Sequence, residues 1–238
     1  SLCLCNATRF FCIINFFNIK IMDFPILSSL ILLPILGAIF IFFSKSNNNL
    51  TIKYLALFVS FANFILSLYL WYLFDTTTSE FQFLEERSWI KGFINYKVGV
   101  DGISILFIIL TTFITPLCVV SVNDTIKNRL KDFLVAILIM ESLMIGVFCS
   151  LDLVVFYLFF EGGLIPMFLI IGIWGGEKRV YSAFKFFLYT LLGSVLMLVA
   201  IISIYWMTGT TDVTYLYNIG IDAKYQNLLW LAFFSSFA

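Results

Sequence analysis

The chain has 238 residues, 62% of them hydrophobic and only 12% charged, and its mean hydropathy is +1.04. This composition is too apolar for a soluble domain and predicts a membrane protein with several spans. Basic and acidic residues number fourteen each, which argues against a nucleic-acid-binding surface or a polybasic lipid anchor. There is no histidine, and the five cysteines form neither a CxxC pair nor an iron-sulfur spacing, so no metal or redox centre is expected in this chain.

The first 21 residues are apolar, but their uninterrupted hydrophobic run is too short to cross the ~30 Å hydrocarbon layer. We interpret residues 1–21 as an N-terminal extension at the membrane interface and residues 22–238 as the membrane domain. A cleaved signal is the alternative, although no small-residue cleavage site follows cleanly.

Hydrophobic runs in the membrane domain predict six complete transmembrane helices, because a helix needs about 20 apolar residues to span the hydrocarbon layer. The predicted spans are 26–43, 54–74, 103–122, 133–149, 153–174 and 184–206. A seventh run covers only residues 228–238. The predicted fold class is therefore an all-α polytopic membrane protein with six complete helices and the start of a seventh.

Lysine and arginine in the connections predict the orientation, since basic residues are retained on the cytoplasmic or matrix side. The connections after the first, third and fifth spans carry Lys45, Lys53, Lys127, Arg129, Lys131, Lys178 and Arg179. The other connections are acidic or nearly uncharged. We therefore expect the N-terminus on the opposite, outer side.

Two acidic residues and one segment between the spans have simple structural interpretations. Asp101 and Asp152 directly precede spans and are predicted to cap helix N-termini rather than to act in catalysis. The segment FQFLEERSWIKGF, residues 81–93, is interpreted as an interfacial hairpin or a partner contact, with a solvated surface as the alternative.

Three ionisable residues lie inside predicted spans: Glu141 in the fourth, Glu161 in the fifth and Lys185 near the inner end of the sixth. A charge at mid-bilayer costs ~2.5–3.5 kcal/mol on insertion scales, so it is normally paired or functional. We interpret Glu161 as a proton-handling site, with a structural carboxyl as the alternative. Glu141 could equally be a neutral carboxyl that bridges two helices, and Lys185 could extend to the inner surface instead of acting in proton transfer.

Glu161 and Lys185 are expected at different depths, ~20 Å and ~9 Å from the inner ends of their helices at a rise of ~1.5 Å per residue. A direct salt bridge between them is therefore not expected. Pro166 cannot donate a hydrogen bond to the carbonyl of Gly162, the residue after Glu161. This predicts a local opening of the helix toward protein or water, and a simple packing kink is an equal alternative.

Long consecutive motifs carry a family resemblance. They are FQFLEERSWI, VGVDGIS, LTTFITPL, LMIGVFCSLDLVVFYLFFEGGLIPMFLIIGIWGG, AFKFFLYTLLGS and LLWLAFFSSFA. They resemble subunit 4 of the mitochondrial NADH:ubiquinone oxidoreductase, respiratory complex I, and its bacterial counterpart, from about Met22 to Ala238.

The resemblance implies an antiporter-like fold and a proton-translocating subunit of the complex I membrane arm, which couples NADH oxidation and ubiquinone reduction to proton pumping. NADH, FMN, iron-sulfur clusters and ubiquinone would be bound by other subunits and none by this chain. Glu161 and Lys185 match the family's functional glutamate and lysine, and Glu141 lies in the matching region.

The partners that the resemblance implies are the other membrane-arm subunits and membrane lipids. The location would be the mitochondrial inner membrane, with the N-terminus on the intermembrane-space side, or a bacterial plasma membrane. The family carries a seventh-helix lysine directly after the segment similar to LAFFSSFA. We expect a second chain to complete that helix and supply the lysine, and a continuation of the same polypeptide is the alternative.

Two other functions stay open at this point. The first is a subunit of a multi-subunit cation/proton antiporter, which has no redox partner. The second is a structural fragment that holds neighbouring subunits together.

Overall fold

The computed structural model describes residues 25–44, 49–90, 94–122, 126, 128–219 and 223–237. The helices in these ranges are α1 (Ile26–Phe43), α2 (Asn49–Leu73), α3 (Ser104–Ser121), α4 (Leu130–Cys149), α5 (Leu153–Trp174), α6 (Arg179–Thr208), α7 (Val213–Leu216) and α8 (Ala223–Phe237). Strands β1 (Gln82–Ile90) and β2 (Ile94–Val100) form an antiparallel hairpin between α2 and α3. Helices α1 to α6 are each long and apolar enough to cross a membrane, as predicted. The extension 1–21, Lys45 and Lys127 lie outside the described residues.

Three helices begin earlier than the hydrophobic runs that predicted them, and one of them is α4, which was predicted from residue 133 and begins at Leu130. The second span was predicted over 54–74, but α2 begins at Asn49; the sixth was predicted over 184–206, but α6 runs from Arg179 to Thr208. Lysine and arginine are good helix formers, so a helix continues through charged residues that interrupt a hydrophobic run. Lys53 therefore belongs to α2 and not to a loop.

Helices α1 to α4 form a bundle, and α5, α6 and α8 extend it as a row in which each helix packs on the one before. Two clusters of buried aliphatic side chains lie at opposite ends of the bundle. The first includes Leu27, Leu30, Leu70, Ile108 and Ile145. The second includes Ile41, Ala56, Val119, Leu134 and Leu138. Between them lies a polar layer of buried side chains: Ser60, Asn63, Ser67, Thr112, Thr115, Glu141 and Ser142.

We call the end of the bundle where α1, α3 and α5 begin the acidic face, because a carboxylate caps each of these helices. Glu85 of the hairpin accepts from the backbone N–H of Leu27 (2.9 Å) at the start of α1. Asp101 accepts from the N–H of Ser104 (2.7 Å) and Asp152 from that of Val154 (2.8 Å). Asp152 is confirmed as the N-cap of α5, whereas Asp101 lies three residues before α3 and binds the first N–H of that helix; the cap supplied by Glu85 is new.

The opposite end is the basic face, where α1, α3 and α5 end and basic side chains bind their last carbonyl groups. Lys131 donates to the carbonyl of Ser44 (2.8 Å) and Lys53 to that of Val120 (3.1 Å). Arg179 donates to the carbonyl of Ile173 (2.8 Å). Unpaired carbonyls and the negative end of the helix dipole favour cations here. The residues that predict orientation thus also stabilise helix ends.

Extended segments tie the acidic face together. The N–H of Leu151 donates to the carbonyl of Lys97 in β2 (2.9 Å), and the N–H of Val213 donates to the carbonyl of Leu151 (2.9 Å). The Lys97 ammonium also pairs with the carboxylate of Asp212 (2.6 Å) and binds the hydroxyl of Thr214 (2.8 Å). The hairpin, the α4–α5 connection and the α6–α7 connection therefore form one hydrogen-bonded surface.

Candidate functional site

The three ionisable residues singled out within the spans have different surroundings. Glu141 in α4 is almost completely buried, with 2% of its surface exposed. Glu161 in α5 is half-buried, and Lys185 in α6 is exposed. The structure therefore places only the two glutamates within the packed helices.

Glu141 lies in the polar layer and bridges α4 to α2. The side-chain amide of Asn63, which is fully buried, donates to Oε1 of Glu141 (2.8 Å). The other two oxygens of this pair, Oδ1 of Asn63 and Oε2 of Glu141, are buried and have no hydrogen-bond partner among the described residues. The contact is the helix bridge foreseen as the alternative for Glu141, but it leaves half of its polar atoms unsatisfied.

The rest of the polar layer is hydrogen-bonded. The hydroxyls of Ser67 and Thr112 lie 2.7 Å apart, linking α2 to α3. Ser142 donates to the carbonyl of Ile31 in α1 (2.5 Å). These bonds link the four helices around the Glu141–Asn63 pair. Within the polar layer, this pair differs from the other side chains because two of its oxygens have no partner among the described residues.

Sequence reasoning missed the α2 side of this site. Ser60, Asn63 and Ser67 are separated by three and four residues, which places them on one face of a helix. All three are fully buried. A polar stripe at helical spacing inside an apolar span was the signal that could have identified Asn63.

Glu161 lies near the middle of α5, and its Oε2 is also buried without a partner among the described residues. The helix is tightly packed on α4 beside it, since a Cβ added at Gly162 would lie 3.3 Å from Leu143. On the next residue, Gly163, a Cβ would meet nothing within 4 Å. Pro166 is buried within α5 and leaves the carbonyl of Gly162 without its helical donor. Glu161 therefore lies beside a carbonyl group without its helical donor, at Gly162, and beside open space at Gly163.

The structure does not bring Glu161 and Lys185 together. The ring of Phe168 packs on the rings of Phe184 and Phe187, each 5.4 Å away between centroids. This register places Lys185 beside the inner part of α5, roughly 11 Å along the helix axis from Glu161. The ion pairs of the described residues are Lys97–Asp212 and Arg129–Asp132, so neither glutamate has a basic partner there.

Residues 150–238, which include Glu161 and Lys185, match a protein family described as "NADH:quinone oxidoreductase/Mrp antiporter, TM". The chain is 53% identical over 199 residues to NADH-quinone oxidoreductase subunit M of Rhodobacter capsulatus, covering 78% of this chain and 38% of that protein. It is 46% identical over 214 residues to NADH-ubiquinone oxidoreductase chain 4 of Marchantia polymorpha, covering 89% of this chain and 43% of that protein. Along most of its length, the chain is similar to these chain 4 and subunit M proteins.

The fold agrees with that of a chain in a solved respiratory complex I. A chain of the respiratory complex I from Thermus thermophilus with bound NADH matches with a TM-score of 0.77 and 27% identity, over 89% of this chain and 43% of that chain. The predicted antiporter-like helical fold is therefore confirmed. The chain spans about two fifths of the length of the curated relatives it matches, 38% and 43% for the two named above.

Proposed function

We propose that the chain is part of a proton-translocating subunit in the membrane arm of respiratory complex I, where NADH oxidation and quinone reduction drive proton pumping. Its similarity to the chain 4 and subunit M proteins supports this function. The observation that carries it is the buried, unpartnered carboxylate oxygen of Glu161 in the middle of a spanning helix. A carboxyl at this depth is costly, so it is retained where it exchanges a proton or pairs with a charge.

In this mechanism Glu161 is the principal proton carrier. A carboxyl group releases its proton when water or a positive charge approaches and takes one up when these withdraw. The carbonyl of Gly162, freed by Pro166, offers an additional acceptor for water next to Glu161. Lys185 lies too far away for direct contact, so it would act through water or through another basic side chain.

The redox reaction belongs to other subunits in this proposal. NADH, FMN, iron-sulfur clusters and ubiquinone would be bound there, and the other membrane-arm subunits and lipids would surround this chain.

The proposed orientation puts the basic face toward the mitochondrial matrix or the bacterial cytoplasm, and the N-terminus on the other side. Lys53, Lys131 and Arg179 at the basic face support it, because basic residues are retained on the inner side. The Lys97–Asp212 surface would then face the intermembrane space or periplasm. Cleavage of the 209–219 connection by a protease added only to the outer side would test this orientation.

Substitution of Glu161 tests the function most simply. Glu161→Gln keeps the size and hydrogen-bonding capacity of the side chain but cannot release a proton. We expect assembly to be retained, while proton pumping and coupled NADH oxidation fall. Glu177→Gln is the matched control, because Glu177 is an exposed acid in the connection that follows α5. Normal proton stoichiometry in Glu161→Gln would contradict the proposed role.

An antiporter subunit is the second candidate, because the matching family description names Mrp antiporters together with NADH:quinone oxidoreductases. Such a subunit would move cations and protons without a redox partner. Purification of the native assembly separates the two functions. Flavin and iron-sulfur subunits in the purified assembly support the complex I assignment, and their absence, with sodium-dependent proton movement, supports the antiporter.

A further inference from the structure

Glu141, the other glutamate inside the spans, lines a cavity. A cavity of about 420 Å³ lies between α3, α4 and α5, and Glu141 is part of its lining. The α3 wall carries a polar stripe of Thr111, Thr115, Cys118 and Ser121. These residues follow one another at three- and four-residue spacing, so they form one face of the helix.

The cavity extends from the basic face to the level of Glu141. Its lining includes Val122, just beyond the last residue of α3, and Phe133, near the start of α4. Glu141 lies eleven positions after Leu130, the first residue of α4, which corresponds to ~16 Å along the helix. The polar stripe therefore begins at the basic face and leads toward mid-membrane.

The hydroxyl groups on this wall can bind water. Thr115 donates to the carbonyl of Thr111 (3.0 Å), and Thr111 donates to the carbonyl of Phe107 (2.8 Å). A hydroxyl that donates its proton still has lone pairs to accept a hydrogen bond. The wall thus offers acceptors at successive turns, although the opposite side is largely apolar, with Met140, Met144 and Met167.

Two unsatisfied atoms belong to Glu141, which lines the cavity, and to its partner Asn63. Oε2 of Glu141 and Oδ1 of Asn63 are buried and unpartnered among the described residues. Buried polar atoms almost always bind protein or ordered water, and a buried water typically makes about three hydrogen bonds. The donor from Asn63 to Oε1 fixes the carboxyl in place and leaves Oε2 for another partner.

We propose that water enters this cavity from the basic face and hydrogen-bonds to Glu141, making Glu141 a second exchangeable carboxyl with its own access route. Asn63 is its positioning residue, since it holds the carboxyl through Oε1. Water access is independent of pumping; only the use of this route in proton transfer rests on the proposed function.

Cysteine accessibility tests the route in the assembled complex, in sealed vesicles of known orientation. Cys118 is first replaced by Ser, because its own thiol lines the cavity. Thr115→Cys then places a thiol in the cavity, and Leu117→Cys is the matched control on the exposed side of α3, outside the cavity lining. A membrane-impermeant thiol reagent is added to one side at a time.

We expect Thr115→Cys to react at least about tenfold faster than Leu117→Cys, and from the basic face, because the reactive thiolate forms where water is present. Equal rates would overturn the proposal and would fit an acyl chain in the cavity. Faster reaction from the acidic face would also overturn it. If Thr115→Cys does not assemble, Thr111→Cys, one turn deeper, gives the same comparison.

Infrared spectroscopy of the complex supplies a second readout. The carboxyl band of Glu141 is assigned by its loss in Glu141→Gln, and we expect it to shift after transfer to D2O. Asn63→Leu should change the band frequency, because Oε1 loses its donor, whereas a purely structural role for Asn63 would leave it unchanged. A Glu141 band that does not exchange in D2O would overturn the route, whatever the pumping activity of Glu161→Gln.

Discussion

Polar groups at the ends of the helix bundle are hydrogen-bonded, whereas some of those in its middle are not. At the acidic and basic faces, charged side chains bind the free backbone groups of α1, α3 and α5. In the middle, buried polar atoms lack partners among the described residues: Oδ1 of Asn63, Oε2 of Glu141 and Oε2 of Glu161. The end charges therefore satisfy backbone groups of the helices, whereas each interior carboxylate keeps one buried oxygen without a partner among the described residues.

Typical energies support this distinction. A side chain that caps a helix N-terminus stabilises it by ~0.5–2 kcal/mol, and a cation near a C-terminus contributes ~0.3–1 kcal/mol. A charge at mid-bilayer instead costs ~2.5–3.5 kcal/mol. Hydrogen bonding explains why the end charges are present, whereas the interior carboxyls require another reason, which we assign to proton exchange.

The largest expected effect on stability is in the middle of the bundle. Asn63→Leu removes the donor to Glu141 and leaves a buried carboxyl without any partner, at a cost of ~1–3 kcal/mol. Thermal dissociation of the chain from the purified complex measures this loss. The double variant Asn63→Leu/Glu141→Leu should recover most of it, since replacing both partners by apolar groups can be nearly neutral. An additive double variant would show that the pair is not coupled.

At the acidic face, Glu85→Ala should destabilise the chain by ~1–2 kcal/mol, because it uncaps α1. Glu85 accepts from the N–H groups of Leu27 and Ser28 and from the hydroxyl of Ser28. Glu86→Ala is the adjacent control, since the Glu86 side chain is exposed and binds only the exposed amide of Asn95 (3.1 Å) among the described residues. Equal effects of the two substitutions would argue against capping by Glu85.

A smaller effect is expected at the basic face. Lys53→Met keeps the length of the side chain but removes the hydrogen bond to the carbonyl of Val120 at the end of α3, worth ~0.3–1 kcal/mol. Lys178→Met is the control, since Lys178 is an exposed lysine of the same face. Hydrogen exchange at the last turn of α3 measures the change. Faster exchange in both variants, or in neither, would contradict a specific role for Lys53.

The smallest effect concerns the Lys97–Asp212 link. Burial alone would raise the pKa of Asp212, but the hydrogen bonds from Lys97 and Thr214 outweigh it and hold the pKa below its usual range. The link therefore contributes fully above the unfolded pKa of ~3.9 and is lost only as the pH falls through the folded value.

Asp212→Asn should accordingly increase proteolysis of the 209–219 connection equally at pH 7 and pH 5, by an amount equivalent to at most ~1 kcal/mol. Asp75→Asn, in the exposed connection after α2, is the control for removing an acid from this face. A difference that disappears between pH 7 and pH 5 would mean that the Asp212 pKa is raised instead of lowered, because an aspartate of ordinary pKa is still ionised at pH 5.

Local features of the sequence predicted much of this structure. The apolar length of each run predicted α1 to α6, and the position of Asp152 directly before a run predicted its cap. Helix bounds were less accurate at α2 and α6, because charged residues such as Lys53 continue a helix that hydropathy alone ends.

Contacts between distant segments could not be predicted in the same way. Glu85 caps α1 by binding the N–H of Leu27, which lies 58 residues earlier in the chain. A bulge in β1, with Phe83 in the left-handed region (φ 54°), precedes it and breaks the strand register. The depth of Glu141 was evident from sequence, but its bond to Asn63 depends on how α2 packs against α4.

One paired measurement tests the distinction between interior and end carboxylates most directly. Protons moved per NADH oxidised and the temperature of thermal dissociation would be determined for Glu161→Gln and Glu85→Ala in the same complex. We predict a crossed result: Glu161→Gln loses proton pumping but keeps its stability, and Glu85→Ala keeps its proton stoichiometry but dissociates at a lower temperature. Normal pumping by Glu161→Gln, or loss of stability without loss of pumping in that variant, would contradict the account.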